Sequence, residues 1–165
     1  MDRTLLTTKL FKWLIEFVEK PNPNLGNWPP CPFARQARVK NKIEIVFSDV
    51  DQLTSTVLKS LSLFDTKDVV VICFDHLTIS ATETVKLVSE LNELIMPKDF
   101  VILEDHPDDI EHVNGVCMNF GECGLLLLSP LSALNLASDQ IKEKGYYKHW
   151  SQENIDSVVT WRYKQ

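Results

Sequence analysis

Glycine is scarce in this chain of 165 residues, and several familiar motifs are missing from it. Only 5 residues are glycine, and none of them belongs to a P-loop or a dinucleotide-binding motif. No two cysteines have the C-x-x-C spacing of a structural zinc site, and no apolar run is long enough to span a bilayer. The sequence therefore argues against the common nucleotide-binding loops, zinc ribbons and membrane helices.

Positive charge is also limited. The chain has 17 basic and 23 acidic residues and a formal net charge of −6 at pH 7. We therefore expect no surface that follows the phosphates of a nucleic acid, and no membrane partner. Four residues form the only local basic run, which we interpret as a solvated face leading into a strand: Arg35, Arg38, Lys40 and Lys42.

The cysteines indicate a compartment. The N-terminal residues lack the apolar core and small-residue cleavage site of a signal peptide, so we expect a cytoplasmic protein with reduced thiols. Cys73 lies within an apolar strand and is expected to be a small buried side chain. Cys117 and Cys123 flank a glycine-containing turn, and a disulfide between them is the less favoured alternative.

Strands that alternate with helices set the predicted architecture. Apolar residues at helical spacing predict an N-terminal helix over 4–20, which Pro21 ends. Ser80 and Glu83 have the spacing of a capping box and predict the start of another helix. The tail from Ser151 fits either a strand or a helix. Four short apolar segments predict strands, namely residues 43–47, 69–74, 100–103 and 125–128.

From this alternation we predict a single α/β domain over 1–165. It consists of the N-terminal helix, a linker over 21–31 and a sheet-and-helix body over 32–165. The sheet is expected to be mixed but mainly parallel, with four or five strands and with helices on its faces.

The first three predicted strands all end in polar, ionisable residues. Right-handed crossover connections make these strands parallel, so their carboxyl ends share the edge at which open α/β sheets bind ligands. Asp49, Asp75 and His106 lie at the three ends. We interpret Asp49 and Asp75 as candidate substrate-binding residues. The alternative is that they cap the segments that follow them.

Residues 104–112 contain five carboxylates and two imidazoles. Crowded carboxylates repel one another, which raises the pKa of some of them unless a cation compensates. Two interpretations are open. One is a divalent metal site with oxygen and imidazole ligands, and the other is a solvated acidic loop.

Cys31 lies in a rigid segment with prolines on both sides. Pro32 suits the first position of a short helix, which leaves Cys31 as the N-cap. A thiol there faces unpaired backbone N–H groups, and that setting lowers a cysteine pKa. Cys31 is therefore a candidate nucleophile. The alternative is that it packs beside Trp28 and Phe33.

From the lengths of the first helix after Cys31 and of the first strand, we expect Cys31 to lie near His106. A helix over 32–38 is about 10 Å long, and the first strand is about 16 Å long. If the helix folds back antiparallel to the strand, its N-terminus lies toward the carboxyl end of the strand. In this hypothesis Cys31 is the nucleophile and His106 is its base or orienting partner.

The block Cys31-Pro32-Phe33-Ala34-Arg35, followed by a strand that ends near Ser48-Asp49, resembles the bacterial family called domain of unknown function 1415. Members of that family carry a Leu-Cys-Pro-Phe-Ala-Lys-type block after an N-terminal helix, and a His-Pro-Asp element after a later strand. The second matching block here is His106-Pro107-Asp108. This chain departs from the pattern at Pro30, where the family has leucine. The resemblance implies a shared architecture and shared special positions, and it implies no activity.

Three functions are left open by the sequence. The preferred one is a protein that binds or converts a small molecule, in which Asp108 holds His106, Arg35 anchors an anionic group and Trp28 lines the substrate site. The second is a metal protein whose ligands are Cys31, His106 and nearby carboxylates. The third is a non-catalytic interaction module that presents the proline-rich segment before Cys31 as an exposed epitope. The sequence points to no particular cofactor or oligomeric state.

Overall fold

The computed structural model describes residues 1–164 of the chain. In these residues the α-helices are α1 (Arg3–Trp13), α2 (Ala34–Val39), α3 (Leu53–Ser60), α4 (Ala81–Ile95), α5 (Leu131–Glu143) and α6 (Gln152–Val158). The strands are β1 (Ile43–Phe47), β2 (Val69–Phe74), β3 (Phe100–Asp105), β4 (His112–Val113), β5 (Val116–Cys117) and β6 (Gly124–Pro130). None of the helices in the described residues combines the length and apolarity that crossing a membrane requires.

The four longer strands form one mixed sheet in the order β1-β2-β6-β3. β1 and β2 are parallel, whereas β6 runs antiparallel to both β2 and β3. The α/β class and the N-terminal helix are confirmed, but the prediction of a mainly parallel sheet is wrong. The reason lies in the connection from β3 to β6. It contains the short β4–β5 hairpin and no helix, so the chain returns beside β3 in the opposite direction.

β6 enters the sheet at Gly124, which is paired with Phe74. A Cβ atom at this position would overlap the Phe74 ring, so the close approach of the two strands requires glycine. Because β6 is antiparallel to both of its neighbours, β2 and β3 run in the same direction as β1. The carboxyl ends of these three strands therefore share one edge of the sheet, as the sequence predicted.

Both faces of the sheet are covered, which explains why β2 is a continuous apolar run. Its even-numbered residues face α3 and α4, and its odd-numbered residues face α1. The buried cluster on the first face is Leu53, Val57, Val70, Ile72, Phe74, Val88, Leu91, Ile95, Ile102, Leu126 and Leu128. The buried cluster on the second face is Leu6, Leu10, Val71, Cys73, Phe120, Cys123 and Leu125.

Hydrogen bonds from side chains stabilise α4 at its first turn and connect its middle to β3. The side chain of Ser80 accepts the N–H of Glu83, and the Glu83 carboxylate accepts the N–H of Ser80, which confirms the predicted capping box. The buried amide of Asn92 binds both the N–H and the carbonyl oxygen of Ile102, at 2.8 and 3.0 Å. β3 is an edge strand, so Asn92 occupies backbone groups that would otherwise face the open edge.

The tail from Ser151 forms α6 and a following turn. Ser151 caps α6 by accepting the N–H of Asn154 at 3.1 Å. The turn after α6 places Trp161 against Met96 and Val101. The cap and this long-range packing override the strand propensity of the β-branched and aromatic residues in the tail.

Candidate functional site

At the carboxyl edge of the sheet, His76 links two of the predicted site residues, because it follows Asp75 in the chain and contacts His106. Asp75 follows β2, and its carboxylate accepts the N–H of Leu77 at 3.1 Å, which is the capping role that the sequence left as an alternative. The next residue, His76, lies edge-on to His106 with ring centroids 5.8 Å apart. Asp49 is exposed after β1 and its side chain forms no cap.

His106 is buried, with 2% of its surface exposed, and both of its ring nitrogens are engaged. Nδ1 accepts the N–H of Asp108 at 3.1 Å, so the ring proton lies on Nε2, which donates to the carbonyl oxygen of Ile79 at 3.0 Å. Asp108 therefore meets His106 through its backbone, and its Oδ2 lies 4.0 Å from Nδ1. The ring fastens the residues after β3 to the connection between β2 and α4.

Asn119, which the sequence analysis did not single out, holds the acidic loop together. We use the name acidic loop for residues 104–112. The Nδ2 atom of Asn119 donates to Asp105 Oδ1 at 2.7 Å and to the carbonyl oxygens of His106 and Asp109. Its Oδ1 atom accepts the N–H of Glu111 at 2.7 Å. One side-chain amide thus links both ends of the loop.

The carboxylates of the acidic loop are crowded. Burial raises the pKa of Glu104, Asp105 and Glu111, and the neighbouring Asp109 raises it further for Glu104 and Glu111. Among the ion pairs of residues 1–164, none joins a lysine or an arginine to these four groups. Oε1 of Glu111 is buried and accepts no hydrogen bond within the same residues. The loop carries negative charge that the described part of the chain does not balance.

The predicted metal site finds no matching geometry in the structure. Within residues 1–164, no group of three or more histidine, cysteine, aspartate or glutamate side chains is arranged to hold a metal ion. His106 has both nitrogens engaged by the backbone. Cys31, the other main ligand of the metal hypothesis, packs against residues that do not contact His106.

Cys31 packs with Val18 and Ala34, between the end of the N-terminal helix and α2. The N–H groups of Phe33 and Ala34 donate to its sulfur. The prediction that Cys31 is the N-cap is wrong, because α2 begins only at Ala34 and Phe33 is its N-cap. Burial outweighs these donors and raises the pKa of the thiol, so the expected lowering is not found. The contacts of Cys31 and those of His106 have no residue in common. The catalytic pairing of the two stays a prediction.

The linker before Cys31 is held by aromatic residues from the C-terminal part of the chain. Trp28 is half-buried and meets the Tyr146 ring edge-on, with centroids 5.6 Å apart. The Tyr146 hydroxyl donates a hydrogen bond to the carbonyl oxygen of Pro30. Trp150 also packs against Tyr146, at 5.7 Å. The proline-rich segment is therefore packed rather than presented as an epitope, while Arg35 is exposed on α2.

A groove of about 500 Å³ runs along α4 on the side of the edge strand β3. We call it the α4 groove. The C-terminal segment after α6 forms its second wall. Val85, Leu103 and Trp161 are among its apolar lining residues. Its charged lining residues are Glu93, Glu104 and Lys164.

No family model, curated protein or solved structure matches this chain. The function of this protein is therefore inferred from the geometry of its own residues. Sequence reasoning found the carboxyl edge, His106 and the acidic loop, but it missed Asn119, Tyr146 and the α4 groove. The partners of Asn119 and Tyr146 are 8 to 14 and 116 residues away, so no local motif marks either residue.

Proposed function

We propose that this protein is a non-catalytic interaction module that binds a segment of a partner protein in the α4 groove. The segment carries apolar side chains for the groove and a lysine or arginine for the acidic loop. The observation that carries the proposal is the position of Glu104. Glu104 lines the groove, and its carboxyl group interacts with Asp109 and Glu111 of the acidic loop.

The groove offers apolar surface to a partner. Val85 is 44% exposed, and the half-buried Leu103 and Trp161 line the same groove. Apolar surface bordered by polar groups is typical of protein interaction sites, and tryptophan is enriched among the residues that dominate binding energy. Covering this surface contributes about 25 cal/mol per Å² of apolar area.

The charge of the surface selects the partner. Two of the three charged residues that line the groove, Glu93 and Glu104, are acidic. The buried Oε1 of Glu111 has no hydrogen-bond donor in the described residues. A guanidinium or ammonium group beside these carboxylates relieves their repulsion and adds charge-assisted hydrogen bonds. The partner segment is therefore cationic.

The edge strand also limits how the segment binds. Addition of a strand to β3 needs the free N–H and carbonyl groups along its open edge. The Asn92 amide already occupies both of these groups at Ile102. The segment therefore binds through its side chains, along α4, rather than by extending the sheet.

We also propose three properties that the sequence predicted: a cytoplasmic location, a small-molecule ligand and membership of a family. A cytoplasmic location is supported by the four cysteines, all of which are free. A small-molecule ligand at the carboxyl edge is supported by the neighbouring side chains of Asp75 and His76. Membership of the family called domain of unknown function 1415 is supported by the sequence blocks at 31–35 and 106–108.

The binding proposal is tested by NMR titration of isotope-labelled protein with two synthetic peptides. The first peptide combines leucines with lysines and arginines, and the second has glutamate at every basic position. We expect the cationic peptide to shift the amide signals of Val85, Ser89 and Glu104, with an affinity that falls as salt is added. We expect the acidic peptide to leave these signals unchanged.

Charge-neutral variants of two glutamates on or beside the groove provide the control. Glu104→Gln removes the charge that lines the groove, and we expect it to weaken binding about tenfold, or about 1.4 kcal/mol. Glu90→Gln is the matched variant, because Glu90 is an exposed residue of α4 and belongs to an ion pair with Lys86 instead. The proposal fails if both variants lose the same affinity, if the acidic peptide binds equally well, or if the cationic peptide shifts no groove signal.

A further inference from the structure

Two of the four cysteines lie side by side beneath α1. Cys73 belongs to β2 and Cys123 to the bend that precedes β6, and each is 1% exposed. Their thiols are hydrogen-bond partners. Both pack in the cluster beneath Leu6 and Leu10. The proposed partner-binding surface uses neither of these thiols.

The strand register defines how far apart the two residues are. Cys73 is paired with Leu125, and the ladder between β2 and β6 ends at the next pair, Phe74 and Gly124. Cys123 is therefore diagonal to Cys73, a relation in which Cα atoms are about 7–8 Å apart, whereas a disulfide needs about 4.4–6.8 Å. Because Cys123 lies in a bend outside β6, it can move closer without breaking the ladder.

A cleft of about 310 Å³ leads to this pair of thiols. It lies between α1 and the carboxyl end of β2, and its lining includes Leu6, Asp75, His76 and Cys123. Cys123 lines the cleft, whereas its hydrogen-bond partner Cys73 does not and is covered by α1. A small molecule in the cleft therefore meets the pair at Cys123.

We infer that Cys73 and Cys123 form a reversible disulfide when the protein meets a hydroperoxide. In the first step, one of the two sulfurs attacks one peroxide oxygen and the O–O bond breaks. That oxygen stays on the sulfur as a sulfenic acid, and the other leaves as water or an alcohol with the thiol proton. In the second step, the other cysteine attacks the sulfenic sulfur, the S–S bond forms, and the hydroxyl leaves as water with the second thiol proton. The two thiols lose two electrons, which reduce the peroxide.

The two sulfurs have different environments. The hydrogen bond from Cys123 lowers the pKa of Cys73, while this bond and burial raise the pKa of Cys123. Cys73 is therefore the more easily deprotonated thiol, and Cys123 is the thiol that lines the cleft. Cys117, the partner that the sequence suggested for Cys123, is exposed, and its thiol is directed at Asn119 Oδ1 at 3.9 Å.

The disulfide joins β2 to the residues that follow the acidic loop. It closes a loop of about 50 residues, and such a cross-link restricts the unfolded chain. In the folded protein it fixes the position at which the chain leaves the loop and enters β6. The oxidised protein is therefore expected to unfold at a higher temperature than the reduced protein.

The test is a peptide map of the folded protein after treatment with hydrogen peroxide. Remaining thiols are blocked with N-ethylmaleimide under denaturing conditions, and the protein is digested without reduction. We expect a cross-linked peptide that contains Cys73 and Cys123, with a mass lower by two hydrogen atoms than the sum of its parts. Dithiothreitol is expected to restore both free peptides.

Single serine variants complete the design. Cys117→Ser is expected to keep the cross-link, and Cys123→Ser is expected to lose it. Recovery of Cys73 and Cys123 as blocked thiols, while exposed Cys117 is oxidised, overturns the inference. So does a cross-link between Cys117 and Cys123. If Cys123→Ser does not fold, the peptide map of the protein without substitutions still shows whether Cys73 and Cys123 are cross-linked.

Discussion

The hydroxyl of Tyr146 donates a hydrogen bond to the carbonyl oxygen of Pro30, and this bond joins two residues 116 positions apart in the chain. Tyr146 is buried, and its ring also packs edge-on with Trp28. The linker before Cys31 is therefore part of the folded core. Its rigidity comes from this contact as well as from its prolines.

The first prediction concerns this bond. Tyr146→Phe keeps the ring but leaves the buried carbonyl of Pro30 without its donor. We expect the free energy of unfolding to fall by about 1–2 kcal/mol, measured by urea denaturation. Tyr163→Phe is the matched control, because Tyr163 is exposed and its hydroxyl binds Asn135 and Asp139 at the surface. A midpoint for Tyr146→Phe equal to that of the unmodified protein would contradict the role given to the bond.

The second prediction concerns the reactivity of Cys31. Burial raises the pKa of this thiol, and the thiolate is the form that reacts with iodoacetamide. In the folded protein at pH 7, we expect Cys31 to be modified at least about tenfold more slowly than the exposed Cys117. Peptide mass spectrometry after timed quenching measures both rates in one sample. Modification of Cys31 faster than Cys117 would favour the nucleophile hypothesis and count against its structural role.

The third prediction concerns the acidic loop and pH. The pKa of Glu111 is raised above its ordinary value of 4.5, by burial first and then by Asp105, Asp109 and Glu104. Its contribution to stability is therefore full below the pKa of the unfolded chain and is lost as pH rises through the higher folded pKa. We expect Glu111→Gln to be more stable than the unmodified protein at pH 7, with a difference that shrinks toward pH 4.5 in urea denaturation.

Glu83 provides the control, because its pKa is shifted in the opposite direction to that of Glu111. Hydrogen bonds from Ser80 lower the pKa of Glu83, so its contribution is present above the pKa of the unfolded chain and is lost as pH falls through the folded pKa. We expect Glu83→Gln to be less stable than the unmodified protein at pH 7. If both variants change stability in the same direction at pH 7, the sign assigned to the acidic loop is wrong.

Local pattern and tertiary context decided different parts of this structure. The apolar run of β2 and the capping box at Ser80 were read correctly, because each depends on residues within a few positions of one another. The direction of β6 was predicted wrongly, because it depends on whether a helix or a short hairpin precedes the strand. The helical tail after Ser151 was left open for a similar reason, since Trp161 packs against Met96, Val101 and Leu131, which lie 30 or more residues earlier in the chain.

The candidate site also has some features that the sequence predicted and others that it did not. The sequence placed His106 and the carboxylates at one edge of the sheet, since strand ends and charge runs are visible in a single stretch of chain. The sequence did not show that both nitrogens of His106 bind backbone groups, because Ile79 lies 27 residues away. Nor did it show that burial outweighs the N–H groups at Cys31, because the covering side chains come from the N-terminal helix.

The sequence by itself determined the α/β class, the shared edge of β1, β2 and β3, and the negative charge after β3, since each follows from residues that are close in the chain. Only the tertiary structure decided the antiparallel entry of β6, the packed linker, the α4 groove and the meeting of Cys73 with Cys123. These features join segments far apart in the chain, and their position depends on which side chains fill the space between helices and sheet.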